Sequence, residues 1–189
     1  MSIQTLAPEA LDALMSSHIA EYPDFPEPGI LFRDITPLLR DADALRTVIR
    51  HWASVVPADV EVIIGTEARG FVLGAPLAYE LGVGFVPVRK AGKLPGTPRS
   101  RTYDLEYGTA TIEIAEGALA PGVRTLVVDD LLATGGTAAA TVALARELGA
   151  DVLGAHFLIE LSGLAGRERL GDLPVTALWS IDDEASPAS

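Results

Sequence analysis

The stretch LVVDDLLATGGTAAA, residues 126–140, decides the fold. It opens on Leu126-Val127-Val128, the kind of apolar run that fills a parallel strand buried on both faces. Two adjacent carboxylates follow, Asp129 and Asp130, then a short loop containing Thr134-Gly135-Gly136-Thr137, and at once an alanine-rich helix. Ligands of open α/β sheets bind beyond the carboxyl ends of the strands. There a helix N-terminus offers unpaired N–H groups and the positive end of its dipole, which suit a phosphate. Gly135 and Gly136 let the backbone curl round such an anion, and Thr134 and Thr137 add hydroxyls. Phosphate alone would be repelled by Asp129 and Asp130, so the ligand must also carry hydroxyls or a metal ion. A ribose 5-phosphate satisfies both demands. A plain strand–helix connection with an Asp cap would explain the glycines, but not the acids and both threonines together. The chain has neither a G-x-x-x-x-G-K-[ST] loop nor a G-x-G-x-x-G after a strand, so other phosphate-binding turns do not apply.

Outward from this segment the chain alternates. Apolar runs at residues 60–65, 84–89 and 151–161 read as further strands, and residues 70–81 and 137–150 as helices. Residues 100–108 and 109–115 read as an antiparallel ribbon joined near Gly108. Upstream, residues 8–20 read as an amphipathic helix, with Leu11, Leu14, Met15 and Ile19 on one face. YPDFPEPG, residues 22–29, is too rich in proline for helix or central strand. Asp41 is placed to cap a second helix that buries Leu45, Val48, Ile49, Trp52 and Val56. The alternation predicts an α/β fold, a mainly parallel central sheet flanked by helices. It forms one domain over residues 1–181, with a polar, frayed tail at 182–189.

The 189 residues suffice for one well-buried core, and no apolar run approaches the length of a membrane span. The N-terminus has neither a basic start nor a signal-type apolar core, so a cytoplasmic location is expected. Cysteine is absent, which excludes disulfides, thiolate metal sites and a thiol nucleophile, and the three histidines are scattered. A net charge of −12 argues against binding a nucleic-acid backbone. Against that acidity, five of the 14 basic residues lie between positions 89 and 101: Arg89, Lys90, Lys93, Arg99 and Arg101. They read as a local pocket for a small, highly charged anion, or as a solvated basic loop. The glycines and prolines among them suggest a lid.

Residues 126–140 resemble the phosphoribosyl pyrophosphate-binding signature of the type I phosphoribosyltransferases. PDFPEPGILFRDITPLL (23–39), EARGFVLGAPLAYELG (67–82), VRKAGKLPG (88–96), YDLEYG (103–108) and FLIELSGLAGRERL (157–170) resemble the adenine-specific branch of that family, in its order and spacing. The resemblance implies a five-stranded parallel core (about 41–181), a small N-terminal hood (about 1–40) and a flexible antiparallel loop. It implies transfer of the phosphoribosyl group to adenine, giving AMP and pyrophosphate, with Mg²⁺ as cofactor and a homodimer as the assembly.

The resemblance also implies roles for residues. Ala133, Thr134, Gly135, Gly136 and Thr137 cradle the 5′-phosphate, and Asp129 and Asp130 hold the ribose hydroxyls. Arg69, Arg89, Lys90 and Lys93 hold pyrophosphate, while Mg²⁺ is carried by pyrophosphate, ribose and water rather than by the protein. Adenine lies against Phe32, with backbone groups of Leu31 and Arg33 reading its edge and Leu132 on its other face; on the residues alone Phe32 equally reads as a core phenylalanine. Glu106 manages a proton on the base and Tyr107 shapes the closed loop, although Glu106 also reads as an exposed acid on an edge strand. The family's loop is more acidic where this chain has Arg99 and Arg101. Two other readings stay open: a xanthine or hypoxanthine-guanine enzyme, and a non-catalytic regulator that senses phosphoribosyl pyrophosphate.

Overall fold

The computed structural model describes residues 5–104 and 108–182, so Glu106 and Tyr107 lie outside the described residues. Two compact units divide after Val55. The first contains α1 (Pro8–His18), β1 (Ala20–Tyr22), β2 (Phe32–Asp34), α2 (Thr36–Arg40) and α3 (Ala42–Val55). Helix α1 stops two residues short of expectation. In its last turn Ser17 Oγ donates to the Ala13 carbonyl, the local competition that disfavours serine inside helices. Asp41 caps α3 as expected: its carboxylate accepts from the backbone N–H of Asp43 and of Ala44, both at 3.0 Å. Val48, Ile49 and Trp52 are buried along α3, while Leu45 and Val56 are only half-buried. Strands β1 and β2 pair antiparallel with Tyr22 opposite Phe32, bridging the proline-rich turn. Since α3 groups with this unit, the division falls about 15 residues beyond the hood boundary that the resemblance implies.

The second unit is a seven-stranded sheet in the order β5-β6-β4-β3-β7-β8-β9. Five strands are parallel: β3 (Val62–Thr66), β4 (Gly84–Lys90), β7 (Arg124–Leu132), β8 (Asp151–Leu161) and β9 (Val175–Ile181). The ribbon of β5 (Arg99–Asp104) and β6 (Thr109–Ile114) joins the β4 edge antiparallel, through Arg89 opposite Glu113. Ile63, Ile64, Leu126, Val127 and Val128 are all fully buried, as the unbroken apolar runs of β3 and β7 require. Strand β9 did not stand out in the sequence; it is a half-buried edge strand, preceded by two short 3₁₀ turns at Ser162–Leu164 and Gly166–Leu170.

Helix α4 (Arg69–Leu81) carries the chain from β3 outward to β4, and α5 (Gly136–Glu147) carries it the other way, from β7 to β8. The winding therefore reverses between β3 and β7, and such a reversal opens a crevice at the carboxyl ends of the two strands. Pairing of β3 with β7 ends at Gly65–Val128, whereas β8 follows β7 on to Leu132. This corrects the reading that the strand ends in its acids. Asp129 and Asp130 lie within β7, supported by β8 on one side and past the end of the paired stretch of β3 on the other. Among the described residues no helix is long and apolar enough to cross a membrane.

Candidate active site

The turn between β7 and α5 has the form expected of an anion cradle. Gly135, at φ +78°, is the N-cap of α5, and as a glycine it brings no side-chain cap. The first N–H groups of a helix have no partner within it, which suits such an end to an anion. Gly135 is required twice over: its φ is left-handed, and a Cβ there would run into the carbonyl oxygen of Gly166. Gly166 in turn lies against Ala133 and Leu132, so the 3₁₀ segment props the turn from behind. Arg167 fixes that prop. It donates from Nε and Nη2 to the two carboxylate oxygens of buried Glu160, at 2.6 and 2.7 Å, and from Nη1 to the Val175 carbonyl at 2.7 Å. Nothing in the sequence marked Gly166, Arg167 or Glu160 beyond their place in a resembling block.

Beside the turn, Asp129 and Asp130 sit one residue apart with different partners. Asp129 accepts from Thr66 Oγ1 at the end of β3, and from the backbone N–H of Asp130 at 2.9 Å. Burial, with the charge of Asp130 added, pushes the Asp129 carboxyl up to about 8. Burial raises Asp130 as well, opposed by the guanidinium of Arg69, whose Nε stands 2.9 Å from Oδ2. Arg69 is the first residue of α4, where a cation meets the unfavourable end of the dipole, and the pair with Asp130 offsets that cost. Gly70 makes the approach possible, since a Cβ there would stand 2.9 Å from both Thr66 Oγ1 and the Val128 carbonyl.

The basic cluster divides. Arg89 and Lys93, joined by the backbone N–H of Lys90, converge on one carboxylate, Glu67, in the β3–α4 connection; Arg101 instead pairs with Glu147 at the far end of α5. Arg99 is exposed on β5. Glu67 was missed in the sequence, where nothing local ties it to basic residues 22 to 26 positions later. Its carboxyl is held at about 2, first by Lys93 and then by the Lys90 N–H. Thr66, Glu67, Arg89 and Lys90 line one part of a cavity of about 430 Å³ that extends to Tyr103 and Thr137. Tyr103 Oη and Thr137 Oγ1 are 2.9 Å apart, which ties the ribbon to the first turn of α5. One cavity thus touches the cationic group and the helix N-terminus, a spacing suited to a ligand with anions at both ends.

One expectation for the base is corrected. Leu132 is only 1% exposed and belongs to the apolar core, its side chain against Gly166, so it presents no face to a ligand. The longer strand is the reason: one more step of pleat turns Leu132 inward and leaves Leu131 half-buried. In the first unit, Phe32 is half-buried and meets Phe25 edge-on at 5.2 Å, and Leu31 is 36% exposed, which removes Phe32 from the core. Arg33 is buried, with Nε 3.3 Å from Glu21.

Comparison with known proteins agrees with this geometry. The model of the phosphoribosyl transferase domain matches residues 39–178. The adenine phosphoribosyltransferase of a Synechococcus strain is 54% identical over 165 residues, covering 87% of this chain and 96% of the relative. Among solved structures, the adenine phosphoribosyltransferase of Thermoanaerobacter pseudethanolicus superposes with a TM-score of 0.87 at 48% identity, covering 90% of this chain and 99% of that one. The Saccharomyces cerevisiae enzyme, complexed with an imino-altritol bisphosphate and adenine, gives 0.82 at 40% identity over 90% of this chain and 99% of its own. On the matched domain and on these identities over nearly the whole of each relative, the chain belongs to the phosphoribosyl transferase family, in its adenine phosphoribosyltransferase branch.

Proposed function

We propose that this protein transfers the 5-phosphoribosyl group of phosphoribosyl pyrophosphate to adenine, releasing AMP and pyrophosphate. The observation that carries the reading is the end of β3 and β7, where buried Asp129 and Asp130 precede a glycine-bounded helix N-terminus, Arg69 pairs with Asp130, and Arg89 and Lys93 gather on Glu67. The 5′-phosphate rests on residues 133–137, and the ribose hydroxyls donate to Asp129 and Asp130. Pyrophosphate faces Arg69, Arg89, Lys90 and Lys93. Adenine N9 enters at C1′ as pyrophosphate leaves, with inversion through an oxocarbenium-like transition state. The acidic pair, sharing its negative charge, stabilises positive charge growing on the ribose, and the cations stabilise negative charge on the leaving group.

Mg²⁺ would be held by the substrate's oxygens and water rather than by the protein, and would supply further positive charge to the departing group. On the base side, Leu31, Phe32 and Arg33 keep the roles the family implies. A carbonyl that accepts from the 6-amino group and an N–H that donates to the adjacent ring nitrogen reject a 6-oxo purine, whose pattern is reversed. Glu106 and Tyr107 keep their assignments near the base and in the loop. A homodimer and a cytoplasmic location belong to the same reading, by family precedent.

The test is incubation of the pure protein with phosphoribosyl pyrophosphate, Mg²⁺ and, separately, adenine, hypoxanthine, guanine and xanthine. AMP from adenine alone is expected. A nucleotide from hypoxanthine but not from adenine refutes the base assignment, and binding without turnover refutes the enzyme.

A further inference from the structure

Glu67 is the feature this function does not explain. An acid in a site for a polyanion repels the ligand, yet its side chain is only 11% exposed and is engaged on both oxygens. Oε1 lies 2.5 Å from Lys93 Nζ, and Oε2 accepts from Arg89 Nε at 3.2 Å and from the Lys90 backbone N–H at 2.8 Å. The Glu67 N–H donates to the Val88 carbonyl, which fixes the residue against β4. Arg89 is braced a second time by the ring of Phe71, 5.8 Å from its guanidinium carbon. Three donors that a free pyrophosphate would want are gathered on one carboxylate belonging to the protein.

Two effects of that carboxylate oppose each other. It pre-orders Lys93 and Arg89, which aids binding by the ordering cost of two side chains. It also places a full negative charge among the groups that pyrophosphate must reach, within a few ångströms of a ligand that bears several. At such distances near a protein surface the repulsion between unit charges outweighs the ordering of both side chains. We infer that Glu67 is a built-in counter-ion of the pyrophosphate site, holding Lys93 and Arg89 in the empty enzyme and competing with pyrophosphate for them, so that it weakens product retention. The inference rests on the function proposed above and adds a residue that tunes release of the leaving group.

Calorimetric titration with inorganic pyrophosphate in Mg²⁺, together with product inhibition by pyrophosphate, tests it. Glu67→Gln is expected to bind pyrophosphate about tenfold more tightly than the wild type and to be inhibited at correspondingly lower concentration. The KM for adenine should not move, which a general structural effect would not spare. Glu67→Asp keeps the charge and is expected to stay near the wild type. Glu67→Ala, which also removes the charge, should follow Gln in direction and serves if Gln fails to fold. Equal or weaker pyrophosphate binding in the charge-removed variants overturns the inference, because it makes Glu67 a positioning group or a metal ligand. A wild type that binds no pyrophosphate overturns instead the function on which the inference rests.

Discussion

Gly166→Ala probes the phosphate turn from behind, at a residue that touches no substrate. A methyl on Gly166 would run into the Ala133 carbonyl oxygen and stand 2.9 and 3.0 Å from Leu132 Cδ1 and Cγ, where ordinary contact begins at 3.4 Å. The prop cannot withdraw freely, because Arg167 next to it is held by Glu160 and by the Val175 carbonyl. The turn itself must yield, by on the order of 1 Å, and a misplacement of that size costs about a hundredfold in rate. The variant should therefore lose about 10²-fold in kcat/KM for phosphoribosyl pyrophosphate. Overpacking should also destabilise it by about 1–3 kcal/mol. Steady-state kinetics alongside thermal melts separates the two effects. Wild-type kcat/KM in a folded variant would refute the argument that the 3₁₀ segment sets the turn.

Asp129→Asn should change the pH dependence of stability. In the fold this carboxyl is raised from 3.8 to about 8, so it keeps a proton that the unfolded chain gives up, and wild-type stability falls as pH rises across that window. Asn has no proton to lose, so its advantage over the wild type should grow from about pH 4 to about pH 8; parallel denaturation curves would contradict this. Asp130→Asn removes a proposed ribose ligand and the partner of Arg69, and should lower turnover at least about tenfold, or ~1.4 kcal/mol. Undiminished kcat would take Asp130 out of the mechanism. Excess chelator should abolish AMP formation and Mg²⁺ restore it; full activity without metal would contradict the proposed leaving-group chemistry.

Much of the site was legible because its signals are local. Residues 126–140 hold strand, acids, glycine bend and helix in one stretch, and each type answers a demand of backbone geometry or charge. Asp41 was equally readable, since a cap acts within three residues. What was not legible depends on pairing across the chain. Where β3 stops beside β7 is set by register, so the place of Asp129 within its strand, and hence the inward turn of Leu132, could not be read from composition. Glu67 acquires meaning only when the connection after β3 meets residues 23 to 26 positions later. Gly166 faces a turn some 30 residues upstream, and β9 is an edge strand without clean alternation.

The central claim is that a sugar phosphate binds where β7 gives way to α5. A crystal structure of the protein with AMP tests it most directly. The account predicts the 5′-phosphate within hydrogen-bonding reach of the backbone N–H groups of residues 134–137, with the ribose hydroxyls on Asp129 and Asp130. AMP lodged elsewhere, with that turn empty, would contradict it.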